Sequence, residues 1–216
     1  RFFLSVEPKR YDVILIGLSN QSVLSTKRLF TEEFFSLAKN RLNPKGILAL
    51  WLPGSLTYLS RELIDLNYCI LNGLKQDFEF VRIIPGDYNI FLASSDKSIM
   101  DTPASVISKR IEGRNIQTIL LNPAYLDYRL NKYWRDWFIS ESIHATKKIN
   151  KDTNPIAVFE SLILWNKKFS PKVKTILEFC RNINLKWVIS FVILITLLLI
   201  LVQESMLLRS TGKTFP

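Results

Sequence analysis

Apolar positions along the chain fall into short runs separated by punctuation. Tyr11-Asp-Val-Ile-Leu-Ile-Gly17 and Ile47 to Leu52 are nearly continuous apolar runs closed by small or turn-forming residues. That is how buried parallel strands read where they enter ligand-side loops. Thr31 stands ahead of Glu-Glu-Phe-Phe-Ser-Leu-Ala-Lys-Asn-Arg-Leu, which predicts a capped helix with carboxylates in its first turn, running to about residue 42. Asn43-Pro-Lys-Gly46 breaks it, and a second helix is predicted from Ser60 or a neighbour to about Leu74. Glu79 to Ile84 and Asn89 to Ala93 are two further strands, joined through Pro85-Gly86-Asp87 closely enough for an antiparallel hairpin. Ser95 to Pro103 reads as a loop, while Tyr125 to Lys148 and Pro155 to Trp165 suggest helices. Strand, helix, strand, helix and a strand pair make the second half of a doubly wound α/β sheet. The first half is not in this sequence, which starts at Arg1, so a piece of a longer protein is expected.

Hydrophobic residues are 48% of the chain, with a large share in its last forty positions. From Trp187 to Val202 no residue is charged. At 1.5 Å per residue this is roughly 25 Å, slightly short of a bilayer core of about 30 Å. Snorkelling by Lys186, with Met206, Leu207 and Leu208, can extend it, and one transmembrane helix is expected over 187–208. The net charge of +10 is concentrated just before this run, in Lys167, Lys168, Lys172, Lys174, Arg181 and Lys186, against Glu178 alone. Only Arg209 and Lys213 follow the run. The positive-inside rule then places the preceding domain on the cytoplasmic side of a membrane, with a lipid bilayer as partner. The expected organisation is 1–95 for the α/β half-domain, 96–165 for a helical extension, 166–186 for a basic juxtamembrane segment, 187–208 for the span and 209–216 for a tail.

Cys69 and Cys180 are far apart and have no metal-ligand spacing, which suits a reducing compartment and leaves no metal site. His144 is the only histidine and stands in no motif, so it reads as a surface helix residue. The basic charge carries no recognised nucleic-acid motif, and nucleic acid is not expected as a partner.

The residue order becomes specific in several segments. These are Tyr-Asp-Val-Ile-Leu-Ile at 11–16, Arg-Leu-Phe-Thr-Glu-Glu-Phe-Phe at 28–35, Leu-Asn-Pro-Lys-Gly-Ile-Leu at 42–48 and Ile84-Pro-Gly-Asp-Tyr-Asn-Ile-Phe-Leu-Ala-Ser94. Together with Tyr58-Leu-Ser, Ile149 to Pro155 and Trp165 with Phe169-Ser-Pro171, they resemble the bacterial proteins that fuse a spermidine synthase-like domain to membrane helices. The similarity covers most of residues 1–202. It implies a partial Rossmann-like sheet of the class I methyltransferase type lacking its N-terminal half, followed by helices and one transmembrane α-helix. It also implies aminopropyl transfer from decarboxylated S-adenosylmethionine, as co-substrate, to putrescine. Arg1-Phe-Phe-Leu4 resembles the end of the family's Asp-Gly-Arg-x-Phe-Leu stretch, so the nucleoside-binding acid and the glycine-rich loop belong upstream of this chain. No cofactor is expected to be held by this piece alone.

Aminopropyl transfer needs a neutral amine to attack a carbon next to a sulfonium, and hence a carboxylate that takes the amine's proton. In the family that role falls to Asp residues at the end of the Tyr-Asp-Val-Ile strand. The matching positions here are Gly17, which has no side chain, and Asn20, which cannot take a proton at neutral pH, with Gln21 where a Pro is common. Ser19, Asn20 and Gln21 remain candidates for substrate binding. Asp127 and Asp152 are the candidates for a relocated acid, each with a plainer reading: a surface helix residue and a turn or cap. Asp12, at the far end of its strand, reads as structural, and Asp87 as a turn residue. Tyr125, Tyr128, Tyr133, Trp134 and Trp137 read either as a cation-π cage or as packing against sheet or membrane. Two readings stay open, a transferase and a non-catalytic relative that binds a nucleoside or a polyamine or regulates its own helices. A half sheet with an exposed edge at Tyr11 to Gly17 is expected to be unstable or to pair with something, which leaves an oligomer open.

Overall fold

The structure, a computed structural model, describes residues 1–17, 28–166, 175–177 and 185–211. In chain order its elements are α1 (Phe2–Val6), β1 (Tyr11–Ile16), α2 (Glu32–Asn40), β2 (Leu42–Pro53), α3 (Arg61–Asp77), β3 (Phe80–Ile84) and β4 (Tyr88–Ser94). A short 3-10 turn, Lys97–Ile99, leads to α4 (Ala104–Gly113), α5 (Pro123–Leu130), α6 (Lys132–Glu141), α7 (Ile156–Asn166) and α8 (Leu185–Thr211).

The four strands form one mixed sheet in the order β1-β2-β4-β3. β1 and β2 run parallel; β4 is antiparallel to both β2 and β3. The Pro85-Gly86-Asp87 turn explains the β3–β4 hairpin, and β4 then slots between its partner and β2. The chain does not break at Asn43-Pro-Lys-Gly46. It continues as strand through an irregularity, with Tyr11 opposite Leu42 and Val13 opposite Ile47. Gly46 permits this, because a Cβ there would stand 2.9 Å from both the Tyr11 carbonyl oxygen and the Leu42 side chain.

Alternation along the strands splits the sheet into two unlike faces. Leu48, Leu50 and Leu52 of β2, with Phe91 and Ala93 of β4, are fully buried on one face. Phe34, Phe35 and Ala38 of α2 and Leu66, Ile70 and Leu74 of α3 complete that core. Ser60 caps α3, its Oγ accepting from the Leu63 N–H at 3.3 Å. Thr31 occupies the N-cap position of α2 but makes no side-chain cap bond. Its hydroxyl instead donates to Asp152 Oδ1 at 3.0 Å. Asn150 joins these layers from the loop before α7. It is buried, its Nδ2 donates to the Phe30 carbonyl at 2.8 Å, and its Oδ1 accepts from the Ala157 N–H at 3.0 Å.

The expected fold class is corrected here. The described residues do not form a doubly wound, Rossmann-like sheet: only β1 and β2 pair in parallel, and β4 runs antiparallel to both β2 and β3. Among the described residues the fold is α/β with a four-stranded mixed sheet. The transmembrane helix expected over 187–208 is corrected too: among the described residues no helix is long and apolar enough to cross a membrane. α8 is long, but the apolar stretch with described side chains is Val188–Val202. The uncharged run from Trp187 to Val202 rises roughly 25 Å at 1.5 Å per residue, against about 30 Å of bilayer core. The basic residues at 167–174, Glu178, Cys180 and Arg181 lie outside the described residues. His144 is exposed in the turn after α6 rather than within a helix.

Candidate functional site

The second sheet face, where β1 and β2 end, forms the floor of a cavity of about 720 Å³. Gly17, Trp51 and Ile90 line it, together with Tyr88. Trp51 pairs with Ile90 across β2 and β4, and Tyr88 stands two residues from Ile90, so all three face away from the Leu50–Phe91 core. Helix α5 supplies the roof through Tyr125, Tyr128 and Arg129. Their spacing places them on one helical face. The helix begins where it does because the Asn122 side chain accepts from the Tyr125 N–H at 2.8 Å and Pro123 fills the first turn. Leu56 and Asp87 complete the wall from loops.

The rim is held by buried amides. Asn89 Oδ1 accepts from the Gly86 N–H at 3.1 Å, and Asn89 Nδ2 donates to Asn67 Oδ1 at 3.0 Å. Asn67 Nδ2 in turn donates to the carbonyls of Pro53, at 3.0 Å, and Leu63, at 2.8 Å. The Gly54 N–H donates to the Asp87 carbonyl at 2.8 Å, so the loop after β2 and the β3–β4 turn are fixed to each other. Arg129 lies over Gly86 and donates to the Pro85 carbonyl.

The structure separates the acids singled out from sequence. Asp127 is exposed on α5 and does not line the cavity. Asp152 also lies outside it and is engaged: Arg1 Nη1 donates to its Oδ1 at 2.7 Å, Arg1 Nη2 pairs with its Oδ2, and its own N–H donates to Glu33 Oε2 at 3.0 Å. The Arg1 guanidinium holds the Asp152 carboxyl below its usual value, Thr31 adds to this, and partial burial opposes it. A carboxylate held so firmly in its charged form is a poor general base. Asp12 accepts from Asn43 Nδ2 at 2.8 Å, at the opposite end of β1 from the cavity. Ser19, Asn20 and Gln21 lie outside the described residues. Gly17 does line the cavity, and among the described residues nothing stands within 4 Å of where its Cβ would be.

Sequence reasoning passed over Trp51 and Tyr88, and read Asp87 only as a turn residue. The signal was the alternation itself: once Leu50 and Leu52 face the core, Trp51 must face away from it. The aromatic set divides in place. Tyr125 and Tyr128 line the cavity, whereas Trp134 makes edge contacts with Tyr128, Tyr133 and Trp137, at centroid distances of 5.5, 5.2 and 6.4 Å. Burial pushes the Cys69 thiol well up, so it is an inert core residue. No family model matches the chain.

The Arg1–Asp152 pair yields a pH prediction. A carboxyl whose folded pKa is depressed contributes stability above its unfolded value of about 3.9, and loses it as pH falls through the folded value. Asp152→Asn is therefore expected to lower the melting temperature by about 2–4 °C at neutral pH. Melts repeated in steps toward about pH 2 should show the two proteins converging; a constant gap would assign the effect to something other than charge.

Proposed function

We propose that this chain is a spermidine synthase-like domain that binds an organic amine in the cavity at the end of β1 without itself transferring an aminopropyl group. The supporting observation is the chemistry of the cavity wall: four aromatic side chains, Trp51, Tyr88, Tyr125 and Tyr128, with one carboxylate, Asp87, and one cation, Arg129, whose guanidinium is drawn to the Pro85 carbonyl. Aromatic faces attract an ammonium or sulfonium group by cation-π interaction, and Asp87 supplies a counter-charge at the rim. Gly17 carries nothing that takes a proton from an attacking amine. Without that step the nitrogen keeps its proton and has no lone pair to form the new C–N bond as the C–S bond breaks.

Asp87 also favours the second reading, transfer with a relocated base, since it is the carboxylate that the cavity holds. Calorimetric titration with putrescine, spermidine and decarboxylated S-adenosylmethionine, followed by an assay for newly formed spermidine, separates the two. Amine binding that Asp87→Asn weakens, with no product, is the expected result. Turnover abolished by Asp87→Asn would establish the transferase instead, and absence of amine binding would remove both.

Gly17→Asp is a gain-of-function test of the same site. Among the described residues nothing stands where a side chain at Gly17 would go, and its backbone is not in the left-handed region. The added carboxylate is expected to tighten putrescine binding by about two- to fivefold, the effect of one exposed ion pair. Unchanged affinity would mean that the amine does not sit beside β1.

A further inference from the structure

A second, smaller hollow of about 220 Å³ lies on the other side of Arg129 from the cavity. Four cationic side chains line it, Arg82, Arg129, Lys132 and Arg135, with one carboxylate, Asp101. They come from separate parts of the chain: Arg82 from β3, Arg129 from α5, and Lys132 and Arg135 from the first turns of α6. The charge is poorly compensated. Arg82 makes no ion pair among the described residues; its Nη1 donates to the carbonyls of Ile99 and Thr102, at 3.0 and 3.1 Å. Arg129 is likewise engaged by a carbonyl, that of Pro85. Lys132 and Arg135 share a single carboxylate, Asp136, at 3.7 and 3.8 Å.

Carbonyl acceptors fix the direction of a guanidinium but do not neutralise it. Burial therefore holds Arg82 below its usual pKa, and the nearby charge of Arg135 pushes the same way against Asp101. Two like charges kept close in a partly desolvated hollow raise the energy of the empty site, which an anion entering it would relieve. Asn131 lines the hollow as N-cap of α6, whose ten residues run Lys132–Glu141, so the positive end of that helix adds to the same field.

We propose that this hollow binds the phosphate group of a small soluble ligand, with Arg82, Lys132 and Arg135 as its charged contacts. At about 30 Å³ per water, its volume holds roughly seven waters, enough for one phosphate group with part of its hydration shell. Arginine suits that group because its planar fork of donors can meet two phosphate oxygens at once. The proposal does not rest on amine binding in the neighbouring cavity.

The test is isothermal titration of the whole chain with inorganic phosphate and with glycerol 3-phosphate, each against sodium chloride at matched ionic strength. Saturable binding of at least one phosphate ligand above the chloride background is expected. Arg135→Gln and Lys132→Gln, both at partly exposed or exposed positions, should each weaken it by about tenfold or more, the effect of losing one charge-assisted contact. Arg110→Gln on α4, an exposed cation outside the hollow, should leave it within about twofold. Binding that falls equally in all three variants would be non-specific attraction to a basic protein and would overturn the assignment. So would heats no larger than those of chloride, or capture only by phosphatidic acid vesicles with neither soluble ligand bound.

Discussion

Asn89→Leu, a replacement of similar volume without the amide, is expected to destabilise the protein by about 2–4 kcal/mol. Asn89 is fully buried and acts in both directions, accepting from the Gly86 N–H and donating to Asn67 Oδ1. Leucine leaves both partners in an apolar setting, and each orphaned buried group costs about 1–3 kcal/mol. Against a total stability of about 5–15 kcal/mol, that is a large fraction. In urea the midpoint should fall with the slope unchanged, because the core itself is intact. The variant should also bind amines more weakly at temperatures where it is still folded, since the same amide holds the turn that carries Asp87. A change of under about 0.5 kcal/mol would mean that the rim is held by backbone bonds alone.

Much of the fold was legible in local signals. Ser60 ahead of an amphipathic run gave a cap that the structure reproduces, and Pro85-Gly86-Asp87 gave the hairpin. Misreadings arose where a local signal met a tertiary competitor. Asn43-Pro-Lys-Gly46 looks like a break, yet the parallel partner Tyr11 draws it into β2 as an irregular strand. Thr31 looks like a cap, yet Asp152, more than a hundred residues away, takes its hydroxyl. Such long-range partners leave no trace in a window of neighbouring residues. α4 lies within the helical extension expected over 96–165 but was not marked off as an element: of its residues only Ala104 is buried, so almost no apolar stripe marks it.

The site was legible in part. Gly17 was singled out because the family resemblance would place a carboxylate at its position, and it lines the cavity. Asp87 was set aside because Pro-Gly-Asp-Tyr explains itself as a turn. A turn residue can also be a wall residue, and only the position of α5 over the β3–β4 hairpin reveals that it is one. Asp127 and Asp152 were plausible by residue type alone. One is turned away from the cavity and the other is committed to Arg1, which sequence spacing does not encode.

The largest single effect is expected in the layer behind the site. Phe35 of α2 is fully buried, and its ring lies against α3 at Gly73, where a Cβ would stand 3.3 Å from the ring edge. Phe35→Ala removes that ring and should cost about 3–5 kcal/mol, the range for emptying a large aromatic site. Gly73→Ala alone has opposing effects. A glycine in a helix interior costs about 1 kcal/mol relative to alanine, but the added methyl presses on the Phe35 ring, and overpacking costs about 1–3 kcal/mol. The single change is therefore expected to be neutral to mildly destabilising. In the Phe35→Ala background the ring is gone, so only the helical gain and some filling of the void remain, and Gly73→Ala should become stabilising by about 1 kcal/mol. A double-mutant cycle in urea reads this as a coupling of about 1–3 kcal/mol. Additive effects would mean that α2 and α3 adjust freely to one another, and that Gly73 is not at this position to receive the ring.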